Sequence, residues 1–416
     1  MWALAFVAAC AFTNVGESPT PDTITAIQIH GNLITSDEEM RRLAGVAAGM
    51  PFEPDTVEAV AERLRATKRF RNVEVLKRFA SISDPSQILL VIIVDEGAVH
   101  IEMTGDPSHP ARVVRNRGPQ FLILPILGAE DGYGATYGAR LALPDPAGKR
   151  SRLAFPLTWG GVKRAAAEFE KSIEHAPIDR ITAGASISRV TNPFYERDDD
   201  RMHLWARAER ELIVRSLRVG ATGGWQRAQF LDLDDRFIHA GADIIVDTRV
   251  DPGLPRNAVY GRAAWEHLSF AQGGANRTDL DARGYVGLFG QNILAVRALR
   301  RDSDRPLPPY LQPMLGGMGN VRGFKAGTAV GDTLVVGSTE LIVPLGPALS
   351  FGKIGISAFA DTGTVYDKGE LIAHQKFNQG YGVGVWMTAA FLRFNVAVAH
   401  GKHASTRVHV GGDITF

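Results

Sequence analysis

The last eight residues of the chain, His409 to Phe416, alternate between polar and apolar side chains and end on an aromatic ring. Successive side chains of a strand point to opposite sides, so this segment would have one apolar and one polar face. The apolar face carries Val408, Val410, Ile414 and Phe416, and the polar face carries Arg407, His409 and Asp413. Transmembrane β-barrels show this alternation because each strand faces lipid on one side and the lumen on the other. The segment therefore predicts a membrane barrel, with a soluble β-sandwich as the alternative.

Composition limits how this chain could cross a membrane. It has 416 residues, 45% of them hydrophobic, and a net charge of +1. No apolar run reaches the roughly 20 residues of a membrane-spanning helix, and only helices and closed barrels satisfy every backbone hydrogen bond inside hydrocarbon. The near-zero net charge gives no reason to expect nucleic acid as a partner. A single cysteine excludes an intrachain disulfide framework and a cysteine-rich metal site.

The first residues form an apolar stretch typical of a secretory signal or its remnant, which we assign to residues 1–21. The stretch lacks the basic residues that ordinarily come first. Val7-Ala8-Ala9-Cys10 resembles a lipoprotein cleavage box, but the segment before it is too short for an ordinary signal. We therefore expect a misplaced start codon rather than a lipid anchor at Cys10.

Residues 22–97 have the pattern of a separate small α+β domain. A capping box of Ser36 and Glu39 predicts the start of one helix, and Pro54 precedes a second apolar stripe at helical spacing. The predicted strands are Thr23–His30, Asn72–Phe79 and Gln87–Asp95. The order is therefore β-α-α-β-β.

Residues 119–416, which follow a polar linker at 98–118, alternate repeatedly in polarity. Turn sequences such as Asp131-Gly132 and Trp159-Gly160-Gly161 separate the alternating segments. The spacing predicts a membrane all-β fold, an antiparallel barrel of about sixteen strands. An even number returns both ends of the barrel to the same side of the membrane. The count includes a strand at Phe121–Leu127, although Pro125 interrupts it.

One connection stands out by its length. About thirty residues separate the predicted strands 292–299 and 332–344, which indicates a functional role because long structureless loops are uncommon. This connection contains Val321-Arg322-Gly323-Phe324. Glu340 in the next strand and Asp361 in the strand after it fall on the polar side of their alternation, so both should face the lumen.

These motifs resemble a known family. The run Thr67-Lys68-Arg69-Phe70-Arg71-Asn72-Val73-Glu74-Val75, with Asp95-Glu96-Gly97 after it, resembles a POTRA domain. Val321-Arg322-Gly323-Phe324 closely resembles the signature of the BamA/TamA-like outer-membrane assembly and translocation superfamily, whose barrels are bacterial surface antigens. Phe359-Ala360-Asp361-Thr362-Gly363 agrees with the same superfamily.

The resemblance implies roles for specific residues. The long loop would fold back into the barrel, where Arg322 would pair with Glu340 and Asp361, because a guanidinium fork suits a bidentate carboxylate. The last strand would carry a C-terminal sorting signal and form one side of a weakly paired seam. The residues expected to carry that signal are His409, Gly411, Ile414 and Phe416.

The resemblance also implies a function. The protein would lie in the bacterial outer membrane, with its POTRA domain in the periplasm taking client segments as added strands. We expect it to assist the folding and insertion of β-barrel proteins into that membrane. The alternative is a two-partner-type secretion pore that passes an unfolded protein through the lumen, although such relatives usually carry two POTRA domains and a plug helix. A passive structural barrel is a third reading.

The expected partners follow from that function: unfolded outer-membrane β-barrel clients, periplasmic chaperones or accessory lipoproteins, and outer-membrane lipid. Nothing points to an enzyme. The sequence has no Gly-rich phosphate loop and no His-x-x-x-His spacing. Gly380, Gly382 and Gly384 recur at strand period with no helix after them, which favours close packing inside a barrel. We expect no catalytic residue, no cofactor and no metal site.

Overall fold

The computed structural model divides the chain into two compact units, residues 1–116 and 117–416. Several positions singled out in the sequence lie outside the residues that the structure describes: residues 1–20, which include Cys10, and Arg71, Glu96, Gly97, Phe121 and Phe416. The described residues are 21–32, 35–70, 72–81, 84, 86–95, 99–102, 112–115, 122–148, 150–173, 176–213, 216–249, 253–349, 352–389 and 392–414.

The first unit contains a three-stranded sheet covered by two helices. The strands are β1 (Thr23–His30), β2 (Asn72–Phe79) and β3 (Gln87–Asp95), and the helices are α1 (Asp37–Ala44) and α2 (Thr56–Ala66). β3 lies in the centre, parallel to β1 and antiparallel to β2. The predicted β-α-α-β-β order is confirmed.

Local sequence explains where these helices begin and how they pack. The Ser36 hydroxyl accepts a hydrogen bond from the backbone N–H of Glu39, as the capping box predicts. Gly45 ends α1 in the left-handed conformation, with φ +63°. Both helices press their apolar stripes onto one side of the sheet. The fully buried core includes Ile24, Met40, Ala44, Val60, Ala61, Leu64, Val75, Leu90 and Ile92.

Within the segment predicted as a linker, the structure describes two short antiparallel strands, β4 (Val99–Glu102) and β5 (Arg112–Arg115).

The second unit is a closed barrel of sixteen strands, each paired with its neighbours in antiparallel fashion. The predicted fold class is confirmed. The strands are β6 (Leu122–Glu130), β7 (Gly134–Pro144), β8 (Ser151–Gly160), β9 (Val162–Ser172), β10 (Arg180–Asn192), β11 (Arg197–Ile213), β12 (Leu217–Phe230), β13 (Leu233–Asp247), β14 (Ala258–Phe270), β15 (Gly273–Gly287), β16 (Ile293–Ser303), β19 (Thr333–Leu349), β20 (Gly352–Tyr366), β21 (Asn378–Ala389), β22 (Leu392–Gly401) and β23 (Thr406–Ile414).

The faces of the barrel wall differ as the alternation predicts. Large apolar side chains are exposed on the outside, where they would meet lipid. Clear examples are Leu204, Ile238, Val383, Val398 and Val408. His239 and His409, from the opposite side of the alternation, are buried. Among the described residues, no helix is long and apolar enough to span a membrane.

Closure between the first and last barrel strands is short. Among the described residues, β23 and β6 are in register only at Gly412 with Ala129 and at Asp413 with Gly128. By contrast, β22 and β23 pair along their whole length, from Leu392 to His400. Pro125 lies within β6, in register with Ala139 of β7. A strand that is little paired on its other side can accept a proline, because no ladder hydrogen bond is lost there.

The long connection occupies residues 304–332, between β16 and β19. It contains a 3₁₀ turn at Pro309–Leu311 and two very short strands, β17 (Met314–Leu315) and β18 (Ala329–Val330), which pair with each other. The segment between these two strands carries the Val321–Phe324 tetrad. We refer to residues 304–332 as the long loop.

Candidate functional site

Arg322 connects the long loop to the inner wall of the barrel. Its Nε and Nη2 atoms donate to the two carboxylate oxygens of Asp361, at 2.7 and 2.9 Å. Its backbone N–H also donates to Asp361, at 3.0 Å. The remaining Nη1 donates to Oε2 of Glu340, at 2.9 Å. One arginine therefore joins the loop to β19 and β20 at once, with the bidentate geometry that favours guanidinium over ammonium.

The environment of this ion pair is shielded from water. Arg322 is 6% exposed and Asp361 is 3% exposed. The guanidinium carbon of Arg322 lies 3.4 Å from the centre of the Phe359 ring, so the cation also stacks on an aromatic face. Ser338 donates its hydroxyl proton to Asp361. A buried ion pair gains little net stability, but removing one partner is costly because the other charge stays buried.

The apolar members of the tetrad pack into the same wall. Val321 and Phe324 are buried in a cluster that the loop forms with the wall. The other buried members of the cluster are Leu299, Leu315, Leu334 and Val336. In the tetrad, two buried apolar residues therefore flank the arginine of the ion pair and a glycine. Gly323 has φ +93°, a conformation that other residues rarely adopt.

Glycines in the barrel wall make room for the tetrad. A Cβ atom at Gly380 of β21 would overlap with the carbonyl oxygen of Arg322. At Gly401 of β22, a Cβ atom would lie 2.7 Å from the carbonyl oxygen of Gly323, closer than real Cβ atoms come. The sequence indicated close packing at Gly380 from its strand-period spacing, but it did not identify the loop as the packed partner.

Two residues that the sequence did not single out hold the loop next to the tetrad. The side-chain oxygen of Asn320 accepts hydrogen bonds from the backbone N–H groups of Gly316 and Val321, at 2.6 and 2.7 Å. Arg297 of β16 donates to the carbonyl oxygen of Gly319, at 2.8 Å. These contacts tie the tip of the loop to itself and to the wall. An Asn directly after a glycine, as in Gly319-Asn320, is a local turn signal that could have identified the first of them.

The first part of the long loop is also fixed. The Tyr310 hydroxyl donates to Asp235 at 2.7 Å, and Arg201 donates to the Tyr310 carbonyl oxygen at 2.6 Å. Burial, together with the hydrogen bond to Asp235, raises the pKa of Tyr310 well above its ordinary value. Beneath this part lies a cavity of about 480 Å³ lined by charged side chains, including Arg207 and Asp243.

His409 lies under the tetrad, on the inner side of the last strand. Its side chain is 1% exposed. The backbone N–H of Gly323 donates to Nε2 of His409 at 2.8 Å, and Nδ1 of His409 lies 2.5 Å from a carboxylate oxygen of Asp131. Asp131 follows β6 in the turn to β7. The sequence placed His409 on the lumen side of its strand but did not connect it to the loop.

The other residues of the predicted sorting signal have different surroundings. Gly411 faces the loop, since a Cβ atom there would lie 3.2 Å from Cγ of Met318. Ile414 ends β23. In the part of the chain that the structure describes, no group of three or more His, Cys, Asp and Glu side chains could hold a metal ion.

Comparison with known structures places the fold. A crystal structure of BamA from Haemophilus ducreyi lacking POTRA domains 1–3 is similar over 94% of this chain and 84% of that chain, with a TM-score of 0.61 and 13% identity. CdiB from Escherichia coli is similar over 98% of this chain and 92% of that chain, with a TM-score of 0.52 and 13% identity. At such identities the likeness shows the fold alone. No curated protein matches the sequence.

Family models cover both units. The model of the surface antigen variable number repeat, a POTRA domain, matches residues 23–97. The Omp85 superfamily domain matches residues 135–416, which is more than half of the chain. The match includes the long loop, Glu340, Asp361 and His409. The chain is therefore a member of the Omp85 superfamily, a protein of the bacterial outer membrane with its POTRA domain in the periplasm.

Proposed function

We propose that this protein assists the folding and insertion of β-barrel proteins into the outer membrane. The observation that carries the proposal is the short closure between β6 and β23. Among the described residues, these strands are in register at only two positions. Unpaired backbone N–H and C=O groups are costly in hydrocarbon, so an opened edge of either strand would favour pairing with a strand from another chain.

Two features of the last strand support this role. Gly411 and Gly412 lie next to each other in β23. Glycine weakens a strand because it loses more conformational entropy on folding than other residues and has no side chain to pack. The exposed outer face of β23 is apolar at Val408 and Val410, which suits contact with lipid or with an incoming apolar strand. A client strand could therefore replace β6 at this edge without leaving apolar surface in water.

The anchored loop supports the same role. The Arg322 ion pair holds the loop against β19 and β20, and the backbone N–H of neighbouring Gly323 donates to His409 on the last strand, so the loop is fixed beside the short closure. The proposed clients are unfolded outer-membrane β-barrel proteins. Periplasmic chaperones or accessory lipoproteins would deliver them, and the POTRA domain would take them as added strands at its sheet edge.

The test measures the folding rate of a client. The purified full-length protein is reconstituted in liposomes, and a urea-unfolded barrel protein is added. We expect faster client folding than in empty liposomes, and we expect Arg322→Ala to reduce the acceleration at least about tenfold, because an unpaired Asp361 destabilises the docked loop by about 3 kcal/mol or more. The matched control is Arg236→Ala, which removes an exposed arginine on the outer face of β13.

Other outcomes would change the assignment. No acceleration, together with a gated conductance across the bilayer, would favour a pore that secretes an unfolded protein through the lumen. No acceleration and no conductance would leave a structural barrel. Equal acceleration by the wild type and by Arg322→Ala would remove the loop from the mechanism.

A further inference from the structure

The long loop touches both sides of the seam, the junction of β6 and β23. On the last-strand side, Gly323 donates to His409, and Met318 lies against Gly411. On the first-strand side, Asp131 approaches His409, and a Cβ atom on neighbouring Gly132 would press on the Cβ of Ala326. The loop therefore bridges, from inside the barrel, a junction whose own backbone pairing is short.

The imidazole of His409 is the centre of this bridge. Its Nε2 must be an acceptor, because the partner is the backbone N–H of Gly323. The proton of the neutral ring therefore lies on Nδ1, which donates to the carboxylate of Asp131. One side chain thus holds the loop with one nitrogen and the far side of the seam with the other.

The attachments on the two sides are unequal. The loop is bound to the wall that ends in β23 through Arg322 with Asp361 and Glu340, and through the close approach to Gly380. Among the described residues of the β6–β7 turn, only Asp131 is hydrogen-bonded to this assembly, and it reaches His409 rather than the loop itself. When the seam opens, the fewest bonds are lost if the break falls between Asp131 and His409.

We propose that His409 is a positioning residue that latches the seam closed through Asp131, and that the loop stays with the last strands when β6 moves away. This inference rests on the proposed function only in assuming that the seam opens. The two nitrogens of His409 make the proposal testable, because an amide side chain can replace one of them at a time.

Three variants separate the two bonds. In His409→Asn the amide N–H₂ takes the place of Nδ1 and can still donate to Asp131, but the side chain is too short to accept from Gly323. In His409→Gln the amide oxygen takes the place of Nε2 and can still accept from Gly323, but the donor to Asp131 is lost. Asp131→Ala removes the acceptor on the first-strand side and leaves His409 in place.

The measurement is amide hydrogen exchange of the full-length protein in lipid nanodiscs. It is read in peptides from β6, from β23 and from the loop tip, the segment between β17 and β18 that carries the tetrad. We expect Asp131→Ala and His409→Gln to speed exchange at the seam by roughly fivefold or more, since a hydrogen bond to a charged group is lost. The loop tip should keep its wild-type exchange. His409→Asn should do the reverse, with faster exchange around Gly323 and an unchanged seam.

The control is His267→Gln, the same substitution at a histidine of β14 whose ring contacts Asn276 rather than the seam. If Asp131→Ala speeds the loop tip as much as β6, the loop leaves with the first strand and the proposal is wrong. A wild-type seam in both Asp131→Ala and His409→Gln would also overturn it. Should the His409 variants not fold, Asp131→Ala decides alone, because it changes only a turn residue.

The exchange experiment and the client-folding experiment can fail separately. A wild-type protein that does not speed client folding, but whose variants show the expected exchange pattern, would refute the insertion function and keep the latch. Faster client folding with no effect of these variants on the seam would keep the insertion function and refute the latch.

Discussion

At the scale of single residues, Arg322 makes several different interactions at once. It reaches two carboxylates, stacks on Phe359 and gives its backbone N–H to Asp361. A lysine could satisfy only part of this set, because a point charge lacks the planar fork. The pairing with Asp361 and Glu340 was implied by the family resemblance, and the alternation of the sequence placed both carboxylates on the lumen side. The bridge of His409 was not, because its partners Asp131 and Gly323 lie 278 and 86 positions away in the chain.

We expect a graded response at Arg322. Arg322→Lys should weaken the docking of the loop less than Arg322→Ala, which leaves the buried carboxylate of Asp361 without its cation at a cost of about 3 to 5 kcal/mol. The measurement is trypsin cleavage after Lys325 in the folded protein, where faster cleavage reports release of the loop. The double variant Arg322→Ala with Asp361→Ala should lose less than the sum of the single losses. Strict additivity would mean that the two side chains do not act as a pair.

At the scale of elements, local sequence patterns were sufficient to predict the strands and helices but not which parts of the barrel wall contact the loop. The three strands of the first unit begin and end where their sequence predicts. In the barrel, the predicted strand Phe121–Leu127 corresponds to β6, which is described from Leu122 and continues to Glu130, while Phe121 lies outside the described residues. The glycines that admit the loop, Gly380 and Gly401, belong to β21 and β22, and only the folded barrel brings them beside the tetrad. These glycines and the tetrad are far apart in the sequence, so no local pattern predicts their contact.

This view of the wall predicts a position-dependent effect of adding one methyl group. Gly380→Ala should push the loop out, because the new Cβ overlaps with the carbonyl oxygen of Arg322. Gly261→Ala in β14 is the matched control, since a Cβ there meets no atom within 4 Å. Trypsin cleavage after Lys325 should be faster in the first variant and unchanged in the second. Similar cleavage of both would show that the wall has room for side chains at Gly380.

At the scale of the whole molecule, the described strands of the barrel pair along most of the wall, and the pairing is short at the junction of β6 and β23. Charged pairs join strands on the lumen side, for example Arg207 of β11 with Asp243 of β13 and Arg297 of β16 with Asp281 of β15. No such pair can form at the two described register positions of the seam, because Ala129 is opposite Gly412 and Gly128 is opposite Asp413. The strength of the wall is therefore unevenly distributed, which is what a barrel that opens at one place requires.

A covalent link across the weak junction should stop insertion of clients. In a Cys10→Ser background, a disulfide between Ala129→Cys and Gly412→Cys would join two residues that are directly opposite. We expect client folding to lose its acceleration on oxidation and to regain it with reductant. The control disulfide joins Ala183→Cys and Ala206→Cys, which are opposite in the fully paired wall of β10 and β11. Undiminished activity of the oxidised seam variant would rule out opening at this junction.

The acceptor for the Gly323 N–H is on the last strand, which has a consequence for how this protein itself matures. The loop is made well before β23, yet its docking site stays incomplete until β23 has joined the sheet. Contacts between distant parts of a chain form late, because the chain loses the conformational entropy of closing the loop before the contacts stabilise it. We therefore expect the loop to dock last, so that a docked loop marks a finished barrel.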